Sequence, residues 1–455
     1  MSASDRRWVL AVGVVVAIGT LWAVARPPGT SPPSSPSASS HAPLRDAAPP
    51  GPRGRASALV YDEGHPVADR WVVFHDADGE VISSVKSDHE GRASGDVPEG
   101  GMITVLYGTS VQHLVTFTAV KPDDEVLVGE KEDDEAQPGD SVARAAVTLP
   151  PAFPSATRYG VSLGVGLTEV LDPTRPVTMP VLRRFVGDDK RFPVLAVAIG
   201  EGETLLAYAH ASAPSGATDG GTVDVRLGPW SKDWREHRLA LTKAPAGATT
   251  ALASLAMTSG KDRFDCGRRR SPFADGAATA AFAVPAPLGK TAIVHLEVAY
   301  GATSDRAFFS RRIPSLATQT NLDLSALLLP RVTRPSMDLG RTSARPVVRW
   351  EAEGGGAKTS AIVVQVSWPE TKEHRWTVVA PPSASPRVEL PALPPSLGTW
   401  APDGGALAPV VGLVSATEYA TWADVEKKGL HLLSEPPEDD DATVSMSVAG
   451  GALVF

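Results

Sequence analysis

The chain of 455 residues is long enough for several hydrophobic cores, and a prior of roughly 150 residues per domain suggests about three domains. Its formal net charge of -9 gives no support for binding to nucleic acid or to an anionic membrane surface. The single cysteine, Cys266, excludes an intramolecular disulfide, and the 41 glycines and 41 prolines indicate a β-rich chain with many turns.

An uncharged apolar run, WVLAVGVVVAIGTLWAVA, occupies residues 8–25 behind a short n-region, residues 1–7, that contains Arg6 and Arg7. At about 1.5 Å per residue, a helix of this length barely spans the hydrocarbon core of a bilayer. Two interpretations stay open: a cleaved signal peptide that ends in A-V-A, or a retained transmembrane anchor with a tryptophan near each end. Both predict an extracytoplasmic protein, either anchored in the inner membrane with a periplasmic ectodomain or secreted.

Two stretches of biased composition predict linkers. Residues 26–56 are rich in Pro, Ser and Ala and nearly lack apolar bulk, so they cannot offset their ordering entropy and predict a disordered tether. Residues 131–141 contain most of the acidic run EKEDDEAQPGD. We interpret this run as a solvated linker rather than a calcium site, because the regular D-x-D-x-D-G spacing is missing.

Short apolar runs separated by turn residues predict a first antiparallel β-sandwich over residues 57–130. Within it, GHPVA at 64–68, DG at 78–79, SDHEGRA at 87–93 and PEGG at 98–101 follow one another in order. On these motifs the stretch resembles the carboxypeptidase regulatory-like domains of transthyretin type. The resemblance implies a spacer or accessory module of an exported protein, and it carries over no catalytic residue.

The strand pattern continues and predicts further sandwiches over residues 142–230, 231–340 and 341–455. In the last of them the runs RPVVRW at 345–350, SAIVVQVSW at 360–368, RWTVVA at 375–380 and RVEL at 387–390 predict strands with an early tryptophan. On this order the stretch 344–400 resembles a fibronectin type III-like domain, and it continues into a C-terminal extension with a short helix near 419–428. The predicted fold class is therefore all-β: several antiparallel immunoglobulin- or transthyretin-like sandwiches in tandem behind an N-terminal membrane-targeting helix. A loose echo between the sequences at 147–166 and 241–260 further suggests a repeated strand–turn–strand unit.

Two patterns suggest catalysis or metal binding, and each also has a structural interpretation. Ser162 lies in GVSLG, which matches G-x-S-x-G, but the helix that a nucleophile elbow requires does not follow. We therefore place Ser162 inside a strand. His65, His75, His89 and His113 lack H-x-x-x-H and H-E-x-x-H spacing, and three of the four lie beside turn residues. We interpret them as surface histidines.

Three further features have competing interpretations. Cys266 precedes three arginines that would lower its thiol pKa if it were exposed, but no base is identifiable. A lone loop thiol is the favoured interpretation over a redox or dimer-forming role. Trp350, Trp368 and Trp376 could stack on a sugar, although sandwich cores also need such side chains. Phe455 resembles the last residue of outer-membrane barrels, but the preceding strands lack the alternation that barrels need.

We accordingly expect no catalytic residue, no metal and no cofactor, with the binding residues unknown. The expected function is that of a non-catalytic exported envelope or cell-surface protein, a structural, adhesive or ligand-binding scaffold of bacterial origin. Expected partners are the membrane, if the N-terminal segment is uncleaved, and an unknown protein or polysaccharide, but no nucleic acid. The alternatives are an accessory subunit or module of an extracytoplasmic hydrolase and a membrane-tethered sensor. A hydrolase needs a catalytic domain, and no long α/β segment is present to form one.

Overall fold

The computed structural model describes residues 52–453, except for residues 63, 108–111, 130–140, 164–167, 184–185, 188, 202–203, 216–220, 260–261, 287–290, 302, 340–344, 370–372, 384, 401–408, 431–432 and 434–441. The predicted membrane-targeting segment at 8–25, most of the predicted tether and Phe455 lie outside the described residues. Among the described residues, no helix has the length and apolar character needed to span a membrane. The first strand begins at residue 53, inside the stretch predicted as tether.

The predicted all-β fold class is confirmed, and the strands fall into four groups that we call modules I to IV. Module I contains β1 (Arg53–Asp62), β2 (His65–Pro66), β3 (Trp71–His75), β4 (Val81–Lys86), β5 (Arg92–Pro98), β6 (Gly101–Tyr107), β7 (Gln112–Val120) and β8 (Glu125–Val128). Module II contains β9 (Ser141–Thr148), β10 (Arg158–Ser162), β11 (Thr168–Val170), β12 (Val177–Leu182), β13 (Arg191–Ile199), β14 (Leu205–Pro214) and β15 (Thr222–Arg226).

Modules III and IV add two short helices. Module III contains β16 (Trp234–Thr242), β17 (Thr250–Ser259), β18 (Asp262–Pro272), β19 (Ala278–Pro285), β20 (Thr291–Ala299), β21 (Arg306–Ile313), β22 (Gln319–Asp323) and α1 (Leu324–Leu327). Module IV contains β23 (Arg331–Asp338), β24 (Val347–Glu353), β25 (Ala361–Pro369), β26 (Glu373–Ala380), β27 (Arg387–Glu389), a 3-10 helix (Pro395–Trp400), β28 (Val410–Ala416), α2 (Trp422–Lys428) and β29 (Thr443–Ala449).

Modules I, II and III share the same strand topology. Each has a small sheet with the first strand in the middle, in the orders β8-β1-β5, β15-β9-β12 and β22-β16-β19. The last strand of each module runs parallel to the first. The other four strands form a second sheet, in the orders β4-β3-β6-β7, β11-β10-β13-β14 and β18-β17-β20-β21. The two echoing sequences, at 147–166 and 241–260, both lie where a first strand leads into a second, so the suggested repeat agrees with the topology.

Module IV departs from this topology at one position. Its sheet β26-β25-β28-β29 matches the others, and β27 pairs with β24 as expected. The other side of β24, however, is occupied by β23, which comes before β24 in the chain and runs antiparallel to it. Arg331 at the start of β23 forms an ion pair with Asp305 of module III at 2.8 Å and lies 4.6 Å from the ring centroid of Tyr300. Strand β23 therefore ties module III to module IV.

Three of the four-stranded sheets join into one sheet of twelve strands. Strand β21 of module III pairs antiparallel with β29 of module IV, and β26 of module IV pairs parallel with β7 of module I. The spatial order is therefore III–IV–I, although the chain order is I–II–III–IV. The shared sheet joins residues across the domain limits predicted from the sequence. Those limits stay predictions.

Strands in the middle of this sheet are buried on both faces. Val72 and Phe74 share a core with Val425 of α2, whereas Val73 shares a different core with Leu397 of the 3-10 helix. Val72, Val73 and Phe74 are all fully buried. Because successive side chains of a strand point to opposite faces, burial on both sides requires consecutive apolar residues. This double burial accounts for the run WVVF in β3. Module I's own small sheet contributes to the core around Phe74, and module IV contributes residues to the cores on both faces.

Candidate functional site

The junction between modules I and IV rests on backbone pairing of two distant strands. Residues 112–117 of β7 lie in parallel register beside residues 374–379 of β26, from Gln112 opposite His374 to Phe117 opposite Val379. Parallel pairing needs no local turn between the strands, and the hydrogen-bonded side chains of Thr116 and Trp376 are 260 residues apart in the chain. The chain therefore closes on itself at this junction.

A buried chain of hydrogen bonds crosses the junction. His75 Nε2 lies 2.9 Å from Thr104 Oγ1, and Thr104 Oγ1 hydrogen-bonds to Thr116 Oγ1 at 2.8 Å. Trp376 Nε1 then donates to Thr116 Oγ1 at 2.9 Å. All four side chains are buried. Since an unsatisfied buried polar group costs free energy, these bonds specify which surfaces of the two modules meet.

A second set of polar contacts lies on β7, β25 and β26. His113 Nε2 is 2.7 Å from Thr377 Oγ1, and Gln365 Nε2 donates to the same hydroxyl at 3.2 Å. Gln365 and Thr377 are buried residues of module IV. The hydroxyl of Thr377 therefore links both modules, and the register of β7 against β26 is set by side chains as well as by the backbone.

Burial keeps the junction histidines neutral. Desolvation lowers the pKa of His75 to about 4, although the Gly79 backbone and the Asp76 charge oppose the shift. Desolvation also lowers the pKa of His113 to about 4, and the nearby Arg375 charge adds to that shift. Both side chains therefore act as neutral hydrogen-bonding groups at pH 7 rather than as charges.

Helix α2 packs against β8 and brings a buried carboxyl to the same junction. The helix begins with a capping box formed by Thr421 and Asp424. Glu426 is only 3% exposed. Desolvation and the charge of Asp124 raise the pKa of Glu426 to about 8, against a hydrogen bond from Trp422 and the charge of Lys121. At neutral pH this carboxyl is therefore largely protonated.

A separate open groove of about 500 Å³ lies between β14 and the segment that joins modules II and III. Tyr208 forms its inner wall, since its hydroxyl donates to the Asp233 carbonyl at 3.1 Å and its ring lies edge-on to Trp234 at 4.8 Å. Three exposed ionisable side chains line the groove: His210, Asp233 and Arg235. The groove is a polar, solvent-open concavity that offers both hydrogen-bond donors and acceptors.

The structure places Ser162 and the histidines as follows. Ser162 is the last residue of β10, is 4% exposed and pairs with Leu195, so it lies in a strand as expected. His65 and His89 are exposed. The surface interpretation is wrong for His75, which is fully buried because β3 is covered on both faces, and His113 is half-buried at the junction. In the described part of the chain, no group of three or more His, Cys, Asp or Glu residues is arranged to hold a metal ion.

The loop position predicted for Cys266 is wrong. Cys266 lies in β18, is fully buried and packs in the core of module III. The three arginines after it do not break the strand, because β18 is an edge strand whose outward side chains reach water. With its thiol buried, Cys266 lacks the exposure that the redox or dimer-forming role required.

Trp350, Trp368 and Trp376 are 4%, 2% and 2% exposed, which agrees with the core interpretation and leaves none of these three rings free to stack on a sugar. Sequence reasoning missed the junction residues Thr104, Thr116, Gln365, Thr377 and Glu426. The strand residues among them could have been found from the sequence, because each is a polar side chain inside an otherwise apolar run, such as Gln365 in AIVVQV. Such a residue indicates a specific hydrogen bond across a buried strand.

Comparisons with known proteins leave the function of the chain unassigned. No family model matches the sequence, and no curated protein is similar to it. Among solved structures, the fimbrial anchor protein Mfa2 from Porphyromonas gingivalis is 14% identical with a TM-score of 0.14, and the match covers 35% of this chain and 78% of that one. The Streptococcal ancillary pilin is 9% identical with a TM-score of 0.16, covering 60% and 98%.

The major pilin subunit BcpA of Bacillus cereus is 10% identical with a TM-score of 0.14, and the match covers 60% of this chain and 99% of that one. TM-scores and identities this low establish neither an activity nor a partner. The all-β fold class rests on the strands of this chain themselves.

Proposed function

We propose that the chain is a non-catalytic scaffold protein of a bacterial cell envelope or surface. The observation that carries this proposal is the twelve-stranded sheet that runs through modules III, IV and I. Backbone hydrogen bonds join the modules at β21–β29 and at β7–β26, so the three modules resist bending relative to one another. A rigid body of this kind suits the display of surface loops to a protein or polysaccharide partner. Export is supported by the apolar run at 8–25, which lies outside the described residues.

Amide hydrogen exchange on the full chain tests the rigid scaffold. The amides of the joint strands β7, β26, β21 and β29 should be protected to the same degree as those of the module cores. Exchange at the joints that is faster by orders of magnitude would mean a string of independent modules and would contradict the proposal. N-terminal sequencing and fractionation of the protein from its native host test the export separately, because recovery of the intact chain in the cytosol would refute it.

The groove beside Tyr208 supports a second candidate function, the binding of a hydroxyl-rich ligand such as a polysaccharide end. His210, Asp233 and Arg235 are exposed and offer donors and acceptors at the rim of a concavity of about 500 Å³. A screen of soluble oligosaccharides by NMR chemical-shift changes would test this candidate. Shifts that disappear in a D233N/R235Q variant and persist in an E236Q control would support it, and the absence of shifts from all glycans would contradict it.

A further inference from the structure

A cavity of about 440 Å³ lies where modules III and IV meet. Part of its wall is the loop that follows β16, with Lys243, Pro245 and Ala246. The rest is formed by the start of α1, the first residue of β23 and the end of β24 with the two glycines after it. The cavity shares no lining residue with the groove beside Tyr208. It is a separate concavity of a size that suits a small molecule.

Each of the two modules contributes a cation to this cavity. Lys243 belongs to module III, and its Nζ lies 2.5 Å from the carboxylate of Asp323. Arg331 belongs to module IV, where its guanidinium pairs with Asp305 at 2.8 Å and lies 4.6 Å from the ring centroid of Tyr300. These contacts hold both cations in place. They also leave donors for a ligand, because an ammonium has three N–H groups and a guanidinium has five.

A carboxylate lines the same cavity. Glu353 is the last residue of β24 and is exposed. It lies directly opposite Arg331 in the register of β23 and β24, so the Cβ atoms of the two residues are about 5 Å apart. The guanidinium nevertheless pairs with Asp305, and within the described part of the chain Glu353 takes part in no ion pair. Groups of opposite charge therefore reach the cavity from neighbouring backbone positions.

The wall near these charged groups is small and apolar. Gly354 and Gly355 have backbone φ angles of 63° and 82°, in the left-handed region that favours glycine, and they add no side chain to the cavity. The hydroxyl of Ser325 already donates to Asp323 at 2.7 Å. The apolar lining consists of Ala244, Pro245, Ala246 and Leu324. The cavity therefore offers hydrocarbon contact to a short ligand and charged contacts to its ends.

The balance of charge decides which class of ligand fits. Lys243 and Arg331 supply two positive charges, against three negative charges from the carboxylates of Asp305, Asp323 and Glu353. A simple anion gains little where the charges nearly cancel. A simple cation uses only an exposed carboxylate, and a single exposed ion pair contributes little in water. A ligand that carries both charges can use the cations and Glu353 together.

We propose that this cavity binds a small zwitterion, whose ammonium and carboxylate flank a short apolar body as in an amino acid or a dipeptide. Glu353 accepts hydrogen bonds from the ammonium, whereas Lys243 and Arg331 donate to the carboxylate. Pro245 and Leu324 contact the apolar body. The inference goes beyond the scaffold function proposed above, because it gives the boundary between modules III and IV a ligand of its own.

Isothermal titration calorimetry on the full chain tests the proposal with three peptides at millimolar concentration. The first is L-alanyl-L-alanine, the second its N-acetyl derivative and the third its C-terminal amide. Acetylation removes the positive charge and amidation removes the negative charge, while the apolar body stays the same. L-alanine is titrated beside them as the smaller zwitterion. We expect at least one of the two zwitterions to bind at least tenfold more tightly than either blocked peptide.

Two variants assign the two ends of the ligand. Glu353→Gln should abolish the preference for the free ammonium over the N-acetyl group and keep the preference for the free carboxylate. Lys243→Met should reduce the preference for the free carboxylate over the amide several-fold and keep the other preference. Glu351→Gln, at an exposed position of the same strand, and Lys190→Met are the controls. Lys190 is exposed and left-handed like Lys243, with φ of 57° against 52°, and both controls should bind as the wild type does.

Equal affinity of the wild type for all three peptides would show that the cavity does not recognise charge and would overturn the proposal. So would the absence of binding by both zwitterions, or losses in the control variants as large as those in Glu353→Gln and Lys243→Met. The comparison of the peptides on the wild type needs no variant, so the proposal can fail even where a variant does not fold. None of these results bears on the scaffold function, which hydrogen exchange at the joints tests separately.

Discussion

Trp376 Nε1 donates a hydrogen bond of 2.9 Å to Thr116 Oγ1, although the two residues lie 260 positions apart in the chain. The bond sits at the centre of the junction between modules I and IV, between two strands that pair in parallel. Both side chains are buried. This contact therefore joins module I to module IV, and it is the first target for mutation.

Replacing Thr116 by valine should destabilise the protein. The substitution keeps the shape of the side chain but removes the acceptor for Trp376 Nε1 and a partner of Thr104, so two buried polar groups lose a hydrogen bond. We expect a loss of about 1–3 kcal/mol in the free energy of unfolding, measured by chemical denaturation. Thr118→Val, at a half-buried position of the same strand, is the control and should change little. Equal effects of both variants would contradict the role of the Thr116 bond.

The stability of the protein should rise with pH between about 4 and 6.5 because of His75. Burial lowers its pKa from the ordinary 6.5 to about 4 in the folded state, so the unfolded chain binds the proton first as the pH falls. Stability from this residue is complete above pH 6.5 and is lost as the pH falls towards 4, at about 1.4 kcal/mol per pH unit. His75→Gln keeps a hydrogen-bonding side chain without titration. Denaturation curves over this pH range should show a smaller slope for the variant, and an unchanged slope would count against the assignment.

Glu426 should act in the opposite direction. Its pKa rises from 4.5 to about 8 on folding, so the folded state retains a proton that the unfolded chain has already released. Stability from this residue is complete below pH 4.5 and is lost as the pH rises towards 8. Glu426→Gln mimics the protonated form, and its stability relative to the wild type should increase through this window and level off above it. Glu90→Gln, at an exposed position, should show no such trend. A constant difference between Glu426→Gln and the wild type would refute the prediction.

Strand β23 should be necessary for the stability of module IV, because it occupies the position beside β24. Val332 is fully buried, and its amide donates to Ser447 Oγ at 3.1 Å. Val332→Ala should lower the free energy of unfolding by about 1–3 kcal/mol through lost burial and a cavity. Arg334 is exposed and has a left-handed backbone with φ of 51°, which glycine adopts more readily. Arg334→Gly should therefore stay within about 1 kcal/mol of the wild type, and a larger loss there than at Val332 would argue against this role of the strand core.

The sequence by itself determined the class of the fold and the place of most strands. The sandwich expected over residues 57–130 appears as the strands of module I, and the helix expected near 419–428 appears as α2. These elements depend on local periodicity and turn residues, which a single stretch of sequence contains. Strand β18 was not predicted, because the exposed arginines at this open sheet edge interrupt the apolar pattern that indicates a strand.

Only the tertiary structure decided how the modules are joined. The pairing of β7 with β26 and of β21 with β29 is made by backbone groups, which every residue except proline can supply, so it leaves no local pattern in the sequence. The same holds for β23, which takes its position beside β24 from outside the usual strand order. The burial of His75 follows from that assembly, because the residue lies next to a turn in the sequence and becomes buried only when the sheet around it is covered on both faces.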